Sequence, residues 1–370
     1  MGEKPDHGFT LVITGGGTGG HLFPGIAVAQ EVMATLPGAR VVFIGTGRHV
    51  DQQAMTHYGF ASRAVPCGHL KGGSLFQKLR TMIGLPWSLV QALRALRTIR
   101  PNLVLGVGGY VTGPVVLAAK LMGIATCIHE QNSVPGVTNR GLGRIVDRVF
   151  LSIPGSEGYF PAGRSIMSGN PLRREILALA SQPVTDGGPT LLVLGGSQGA
   201  HRLNTLLPQA IAAMGSLPEG FQVIHQTGKR DEDAVRAAYQ ALGVRAEVSA
   251  FITDMAAVYQ RAGVVVSRAG ATTLAELTAV GRAAILVPYP FAADDHQRHN
   301  ALSLVAGGAA RMLVEDGLTA EALAREIKAI VNDASQRRAM ALAARELARP
   351  EAVATIVREC LALGKGQEEG

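Results

Sequence analysis

Two glycine-rich turns in each half of the chain follow short apolar runs and lead into helical sequence. In the first half the turns lie at residues 14–21 and 106–114, and in the second half at residues 195–199 and 267–276. An apolar run followed by a small-residue turn and a helix predicts a strand with a crossover helix, and hence a parallel sheet. Bare backbone N–H groups and the positive end of each helix suit a phosphate at such turns. The two pairs therefore predict two similar domains with parallel sheets facing a central cleft.

The alternation of apolar and helical stretches continues along the chain. Strand-like runs occur at residues 9–13, 40–44, 103–107, 125–129, 148–151, 190–194, 222–226, 247–251, 264–267 and 284–287. Helical patterns include residues 24–35 and 85–99, and the helical tail at 319–363 could pack on its own domain or back on the first. This pattern predicts an α/β fold of two Rossmann-like domains. Turn-forming residues place the boundary between the two domains within residues 169–189, and we expect this segment to be flexible.

Composition limits the classes of protein that fit. The 370 residues carry a net charge of +7, with 47% hydrophobic and 17% charged residues, which fits a globular chain with two cores. The positive charge indicates an anionic partner, namely nucleic acid, acidic lipid or a phosphorylated substrate, or else general basicity. Three cysteines without a CxxC pair argue against a zinc site or a disulfide framework and favour a reducing compartment. The N-terminus does not read as a secretory signal, and the uncharged residues 103–119 are too few and too glycine-rich for a transmembrane helix.

The first glycine turn places a histidine where a ligand would bind. Gly15, Gly17 and Gly20 satisfy the GxGxxG pattern, but Arg40 stands where a dinucleotide site needs an acidic residue, which disfavours a nicotinamide cofactor. His21 stands where a phosphate-binding loop would carry lysine. Beside a helix N-terminus an imidazole stays neutral and can accept a proton. His21 is therefore a candidate general base, the alternative being a capping or packing histidine.

Polar residues at other strand ends are further candidates. The sequence IHEQN at residues 128–132 indicates a substrate surface or an ordinary solvated strand end, and Glu130 within it is a candidate acid or base. Residues 270–273 open a helix whose positive end suits a diphosphate. Glu276 in that helix could accept hydrogen bonds from ribose hydroxyls, or it could be a solvated helical acid. The acidic residues at 231–233 fit a helix N-terminus better than a metal site.

A basic and apolar segment lies at residues 71–87. It mixes basic side chains with bulky apolar ones, namely Lys71, Leu75, Phe76, Lys78, Leu79, Arg80 and Trp87. Interleaved groups of this kind suit a surface that dips into anionic lipid. The alternative is a core-packed helix with solvated lysines. Arg94, Arg97 and Arg100 extend the basic character.

Eight motifs, in order, carry a family resemblance: GGGTGGHLFPGIAVA, GVGGYVTGP, IHEQNSVPGVTNR, SGNPLR, GGSQGA, FITDM, SRAGATTLAE and DHQRHNA. Through them the chain resembles the MurG family of peptidoglycan glycosyltransferases, glycosyltransferase family 28. The resemblance implies a GT-B arrangement, with an acceptor and membrane-docking domain at residues 8–168 and a UDP-N-acetylglucosamine-binding domain at 169–347. It also implies that a C-terminal helix at about 348–365 packs back on the first domain.

The resemblance also implies a reaction and its site residues. The reaction is inverting transfer of N-acetylglucosamine from UDP-N-acetylglucosamine to the C4 hydroxyl of the muramoyl pentapeptide of lipid I, which gives lipid II for peptidoglycan synthesis. His21 is the implied base. The implied donor-binding residues are Thr18, Gly19, Gly20, Asn132 and Gln297 at the sugar, Arg173 and Ile252 at the uridine, Ser197, Ala271, Thr272 and Thr273 at the diphosphate, Leu274 and Ala275 beside them, and Glu276 at the ribose. On the acceptor and membrane side are the residues of the basic and apolar segment together with Gly108, Gly109 and Tyr110.

Partners and location follow from the same resemblance. It implies that neither a cofactor nor a divalent cation is required, and that the partners are UDP-N-acetylglucosamine, lipid I and the anionic inner leaflet of the cytoplasmic membrane. Cell-wall synthesis and division proteins are further expected partners, and nucleic acid is not. The implied location is the cytoplasmic face of the bacterial inner membrane, as a peripheral protein. Two alternatives stay open: another GT-B-type UDP-sugar enzyme, such as a UDP-N-acetylglucosamine 2-epimerase, and a non-catalytic UDP-sugar-binding protein.

Overall fold

The computed structural model describes residues 8–16, 19–67, 75–196 and 199–366, with side chains for all of these except residues 49–51 and 75–83. The chain divides into two compact units. Unit 1 comprises Met1–Arg173 and Glu351–Gly370, and unit 2 comprises Arg174–Pro350. The chain therefore leaves unit 1 once, forms the whole of unit 2, and then returns.

The described part of unit 1 contains a seven-stranded sheet. Its strands are β1 (Thr10–Gly15), β2 (Arg40–Gly45), β3 (Ala61–Ala64), β4 (Leu103–Gly108), β5 (Ala125–Glu130), β6 (Arg148–Leu151) and β7 (Ser165–Met167). Its helices before the crossing are α1 (Gly19–Thr35), α2 (His49–His57), α3 (Leu75–Ile99), α4 (Thr112–Leu121) and α5 (Val137–Leu142). The strand order is β3-β2-β1-β4-β5-β6-β7, with all neighbours parallel. The carboxyl ends of β1 and β4 therefore meet at the switch point, where such sheets bind ligands.

The described part of unit 2 repeats this plan with six strands. They are β8 (Thr190–Leu194), β9 (Gln222–Gln226), β10 (Ala246–Ser249), β11 (Val264–Ser267), β12 (Ala283–Leu286) and β13 (Ala310–Met312). Its helices are α6 (Arg174–Ala180), α7 (His201–Ala213), α8 (Glu232–Ala241), α9 (Met255–Arg261), α10 (Ala271–Val280), α11 (His296–Ala306), α12 (Ala320–Val331) and α13 (Ala334–Glu346). The order β10-β9-β8-β11-β12-β13 is again parallel throughout. Here the switch point lies between β8 and β11, which are the strands that precede the two glycine turns of this half.

The last helix, α14 (Ala352–Lys365), belongs to unit 1. Gly364 lies so close to Phe9, at the start of β1, that a Cβ on it would overlap the phenyl ring. Glu359 on the same helix lies 3.4 Å from Arg148 of β6. The buried Cys360 lies beside Cys127 of β5, and burial raises the pKa of the Cys127 thiol. These contacts fix α14 against the sheet of unit 1.

The strands expected from the apolar runs are confirmed in both sheets. The short strands β3, β7 and β13 are absent from the sequence-based expectation because they lack an apolar run; all four residues of β3 are exposed. Two helices begin earlier than expected, α1 at Gly19 rather than residue 24 and α3 at Leu75 rather than residue 85. The helical tail forms three helices. The second, α13, begins after Asp333, whose side chain accepts from the Gln336 N–H.

Most of the segment expected to be flexible, residues 169–189, is held within unit 2. The boundary between the units falls at its start, between residues 173 and 174. Beyond it, Arg282 donates to the Thr185 carbonyl oxygen at 2.8 Å, and Arg337 donates to the Asp186 carboxylate at 3.0 Å. Charge-assisted bonds from two guanidinium groups hold this backbone more firmly than a solvated linker would be held.

Candidate active site

The two glycine turns of unit 1 lie against each other at the carboxyl ends of β1 and β4. A Cβ on Gly109 would stand 2.9 Å from the backbone oxygen of Gly16, and a Cβ on Gly108 would stand 2.6 Å from Nδ1 of His21. Gly108 and Gly109 also have positive φ, at +102° and +91°. A larger residue at either position would need both a strained backbone and displaced neighbours. The turns thus bring the candidate base beside two glycines expected on the acceptor side.

Gln131, which the sequence motifs left without a role, connects His21 to the interior of unit 1. Its Oε1 lies 3.2 Å from Nδ1 of His21. Its Nε2 lies 2.8 Å from the Val107 carbonyl oxygen and 3.0 Å from Nδ1 of His129. Gln131 is only 2% exposed, so little water competes for these bonds. The half-buried His21 is therefore connected through one amide to a buried ring.

That buried ring, His129, lies at the carboxyl end of β5. Its Nε2 lies 3.2 Å from the Gly169 carbonyl oxygen and 2.8 Å from Oγ of Ser152. Burial lowers the pKa of His129 to about 4, so the ring is neutral at pH 7. A neutral imidazole donates from one nitrogen and accepts at the other. The acceptor on His129 is Nδ1, because the Gly169 carbonyl requires a donor at Nε2.

Glu130 holds the loop that follows β5. Its carboxylate accepts from the Asn132 backbone N–H at 2.9 Å, from Nδ2 of Asn132 at 3.2 Å, from the Gly136 N–H at 3.2 Å and from Nδ2 of Asn139 at 2.8 Å. The residue is 2% exposed. Four donors satisfy this buried charge and fix the position of Asn132, one of the residues expected at the donor sugar. The geometry favours a loop-holding role for Glu130 over the expected role as acid or base.

Other expected site residues of unit 1 lie at the start of α1 and in the second glycine turn. Gly19 and Gly20 are the first two residues of α1. Phe23 also lies in α1, and the Arg173 guanidinium is 5.0 Å from the centre of its ring. The Tyr110 carbonyl oxygen, in the second glycine turn, accepts a hydrogen bond from Cys67 at 3.4 Å. Thr18 lies outside the described residues.

In unit 2 the helix α10 begins directly after the turn that follows β11. Gly270 precedes it in an extended conformation, with φ −69° and ψ 137°, and gives it no side-chain cap. The first-turn N–H groups of a helix have no partner within the helix, and the helix dipole makes this end positive. Ala271, Thr272 and Thr273 supply that turn, and Leu274 and Ala275 continue it. The expected diphosphate-binding residues therefore form one continuous helix start.

A buried tyrosine holds Glu276, the residue expected at the ribose. The Tyr259 hydroxyl donates to Oε2 of Glu276 at 3.0 Å, and Tyr259 is completely buried. Glu276 itself is only 7% exposed. A carboxylate with one oxygen bonded to a buried donor has a fixed plane, because rotation would break a charge-assisted hydrogen bond. No sequence pattern indicates this pair, whose members lie on α9 and α10.

Two side chains of α11 hold the turn that precedes α10. Oε1 of Gln297 accepts from the Ala269 N–H at 3.2 Å and from the Tyr289 N–H at 3.0 Å. The buried Asn300 donates from Nδ2 to the Ala269 carbonyl oxygen at 3.2 Å. Both backbone groups of Ala269 are thus engaged by one helix. Because two N–H groups engage the Gln297 oxygen, its NH₂ group is the part of the amide suited to donate to a ligand hydroxyl.

The expected uridine-binding residue Ile252 follows β10. Its backbone N–H donates to Oε1 of Gln226 at 3.0 Å. The neighbouring Phe251 leaves 56% of its surface exposed, so a flat aromatic ring is available beside it. Ser197, expected at the diphosphate, lies outside the described residues. Gly199, two positions later, has φ +77° and packs against Thr227.

The exposed face of α3 combines apolar and basic residues. Trp87 is 55% and Val90 is 39% exposed, and the exposed Arg94 and Arg97 continue the same stripe at helical spacing. The Arg94 guanidinium lies 6.0 Å from the centre of the Trp87 ring. Leu75, Phe76, Lys78, Leu79 and Arg80 lie in α3 with side chains outside the described residues, as is all of Lys71. In the part of the chain that is described, no helix is both long and apolar enough to cross a membrane.

Fold and site together define a class of protein. Each unit is a Rossmann-like domain whose glycine turns and helix starts meet at the switch point of a parallel sheet, where nucleotide ligands bind. Unit 1 adds a histidine held by a buried amide. Among the described residues, no group of three or more His, Cys, Asp and Glu side chains is arranged to hold a metal ion. Two such units are typical of GT-B glycosyltransferases that use nucleotide sugars.

Comparison with known proteins identifies the family. Residues 11–151 match the glycosyltransferase family 28 N-terminal domain, and residues 190–356 match the glycosyltransferase family 28 C-terminal domain. The chain belongs to glycosyltransferase family 28.

Similar proteins cover almost the whole chain. A UDP-N-acetylglucosamine–N-acetylmuramyl-(pentapeptide) pyrophosphoryl-undecaprenol N-acetylglucosamine transferase from Desulfotalea psychrophila is 49% identical over 95% of each chain. A protein of the same name from Geobacter sp. strain M21 is 45% identical over 94% of each. The crystal structure of Acinetobacter baumannii MurG is similar with a TM-score of 0.78 and 30% identity, covering 96% of this chain and 99% of that one.

Proposed function

We infer that this chain transfers N-acetylglucosamine from UDP-N-acetylglucosamine to the C4 hydroxyl of the N-acetylmuramyl pentapeptide carried on pyrophosphoryl-undecaprenol. The product is lipid II, the disaccharide precursor of peptidoglycan. The observation that carries this proposal is the similarity, over about 95% of both chains, to a relative named for this reaction. The His21 site and the start of α10, to which Gly270 gives no side-chain cap, are consistent with the chemistry it needs.

The reaction is a single displacement at the anomeric carbon. The acceptor O4 forms a bond to C1 of the sugar while the bond from C1 to the diphosphate oxygen breaks, and that bond's electron pair leaves with UDP. His21 takes the O4 proton as general base, which is worth about 10²- to 10⁴-fold in rate. One displacement inverts the configuration at C1, so the α-linked donor gives a β-linked product.

The leaving group gains negative charge as the bond breaks. The N–H groups in the first turn of α10, which Gly270 leaves without a side-chain cap, stabilise that charge through hydrogen bonds and the helix dipole. Ser197 contributes from the equivalent turn after β8. We propose that these groups take the place of a metal ion, so that neither a divalent cation nor another cofactor is required.

The remaining donor contacts are assigned by residue. Glu276 binds the ribose, supported by the hydrogen bond from Tyr259 that orients its carboxylate. Arg173 and Ile252 hold the uridine, and Gln297 binds sugar hydroxyls through its NH₂ group. Thr18, Gly19, Gly20 and the fixed Asn132 complete the sugar site.

The acceptor is lipid-linked, so unit 1 must reach a membrane surface. The exposed stripe of Trp87, Val90, Arg94 and Arg97 on α3 fits an interface that inserts apolar side chains and attracts anionic headgroups. We propose that this stripe, with the basic and apolar residues 71–80, docks the protein peripherally on the cytoplasmic face of the bacterial inner membrane. Gly108, Gly109 and Tyr110 then lie on the acceptor side of His21.

A radiolabelled donor distinguishes this proposal from the alternatives. Purified protein is incubated with UDP-[¹⁴C]N-acetylglucosamine, with and without a lipid I analogue and with and without a chelator. Label on the lipid, in the presence of acceptor and of chelator, is the expected result. Conversion of the donor to the 2-epimer without acceptor would identify an epimerase, and tight donor binding with no turnover would identify a non-catalytic binding protein.

A further inference from the structure

The orientation of the Gln131 amide is determined by its neighbours. The Val107 carbonyl oxygen can only accept, so the Gln131 atom 2.8 Å from it must be the nitrogen. The same nitrogen donates its second hydrogen to Nδ1 of His129 at 3.0 Å. Exchanging the amide nitrogen and oxygen would place two oxygens against each other at Val107. Oε1 of Gln131 therefore faces His21.

This orientation decides which nitrogen of His21 carries a proton. An amide oxygen only accepts, so Nδ1 of His21, 3.2 Å away, must be the donor. In the neutral ring the lone pair is then on Nε2, at the opposite edge of the imidazole. A histidine in the other tautomer would oppose its Nδ1 lone pair to the Gln131 oxygen.

The hydrogen bonds on the core side of Gln131 are buried and form a connected network. His129 is 1% exposed, and its neutral ring accepts at Nδ1 while Nε2 donates to the Gly169 carbonyl. The Val107 carbonyl can only accept, and His129 cannot change to the other tautomer without losing a buried hydrogen bond, which is costly in a protein interior. Each group therefore donates to the next one toward the core: His21 to Gln131, Gln131 to His129, and His129 to the Gly169 carbonyl oxygen.

We propose that Gln131 is a positioning residue, which holds His21 in the Nδ1–H tautomer and directs Nε2 to the acceptor hydroxyl, with His129 fixing Gln131 in turn. The proposal rests on the proposed function, in which His21 is the base. Neither residue touches the reacting atoms. Both act only through the orientation and tautomer of His21.

The tautomer can be observed directly in the wild-type protein. In nitrogen-15 spectra of protein labelled in its ten histidines, protonated and unprotonated ring nitrogens of a neutral imidazole are well separated. The His21 signals are identified by their loss in His21→Gln. The expected result is a proton on Nδ1. A proton on Nε2 of neutral His21 would overturn the proposal, whatever any variant does.

The functional test uses Gln131→Met, which keeps length and volume but removes both hydrogen-bonding groups. We expect His21 to become a mixture of tautomers and kcat to fall about 10²-fold, as for a misplaced catalytic group, with little change in donor KM. Gln131→Glu keeps an oxygen acceptor for Nδ1 of His21 but places its second oxygen against the Val107 carbonyl and the acceptor nitrogen of His129. We therefore expect it to keep the Nδ1–H tautomer of His21 while its kcat stays below that of the wild type. Thr126→Val is the matched control. Thr126 lies on β5 with His129, and the variant deletes a part-buried side-chain hydrogen bond from Thr126 to Asp147.

The outcomes separate this proposal from the proposed function. A kcat for Gln131→Met equal to that of Thr126→Val would overturn the positioning role. If the methionine variant does not fold, the tautomer of His21 in the wild-type protein still decides the matter, since a proton on Nε2 would overturn the proposal. Absence of transfer by the wild-type chain would refute the proposed function and leave the measured tautomer standing.

Discussion

Replacing Gly108 with alanine displaces the candidate base His21 without changing any atom of the histidine itself. The added Cβ would stand 2.6 Å from Nδ1 of His21, whereas ordinary contacts begin at 3.4 Å, so the ring must retreat by about 0.8 Å. Gln131 is fixed by other bonds and does not follow, so the 3.2 Å contact to Nδ1 is lost. A displacement near 1 Å costs about 10²-fold in rate. We therefore expect Gly108→Ala to lower kcat about 10²-fold, or about 2.7 kcal/mol.

Gly123→Ala is the matched control, because it separates backbone strain from displacement of His21. Gly123 has φ +72°, but nothing lies within 4 Å of the position that an added methyl group would occupy. Each variant incurs about 1 to 2 kcal/mol of strain from a non-glycine residue at positive φ, so both should lower the unfolding midpoint. Steady-state transfer to a lipid I analogue gives kcat and donor KM for each. A Gly108→Ala kcat equal to that of Gly123→Ala would refute the reasoning.

Three further predictions concern the donor, acid stability and the membrane. Tyr259→Phe removes the donor to Glu276 and should raise the KM for UDP-N-acetylglucosamine about tenfold, or about 1.4 kcal/mol, with little change in kcat. Burial lowers the pKa of His225 to about 3, so between about pH 6.5 and 3 the unfolded chain binds a proton that the folded chain does not. Stability should therefore fall with falling pH, by as much as about 5 kcal/mol from this group, and chemical denaturation of His225→Gln should show a shallower pH dependence. Trp87→Ala combined with Arg94→Glu should weaken sedimentation with anionic vesicles about tenfold or more.

Each of these has a control and a contrary result. Tyr239→Phe deletes another buried hydroxyl, and equal donor KM values for the two tyrosine variants would exclude an effect through Glu276. An unchanged pH slope in His225→Gln would mean that this ring is not protonated on unfolding. Arg325→Glu changes the same charge on an exposed position of unit 2. If it weakened vesicle binding as much as Trp87→Ala combined with Arg94→Glu, the effect would be one of net charge alone.

Local sequence is sufficient for most strands of both sheets and for the positions of the turns. Apolar runs that end in glycine predict both the strand and the place where its helix begins, so the ligand-binding edges of β1, β4, β8 and β11 can be identified from the residues alone. Short edge strands such as β3 carry no such signal, since pairing with β2 rather than an apolar pattern makes them strands. The predicted starts of α1 and α3 are too late, because glycine turns and basic residues do not show helical periodicity.

Contacts between residues distant in sequence cannot be predicted in this way. Gln131 lies within the IHEQN motif, but its role depends on His21, which lies 110 positions earlier. Tyr259 reads as a core residue of α9, and only the packing of α9 beside α10 brings its hydroxyl to Glu276. The polar residues at the end of β5 give one signal, since His129 and Gln131 are two positions apart and so project to the same side of an extended chain.

The anomeric configuration of the product tests the central claim most directly. UDP-N-acetylglucosamine labelled with carbon-13 at C1 is incubated with the protein and a lipid I analogue, and the labelled product is examined by NMR. A single displacement with His21 as base predicts one β-linked signal on the lipid, formed in step with released UDP. An α-linked signal, or label recovered only as free sugar or as the 2-epimer, would contradict it.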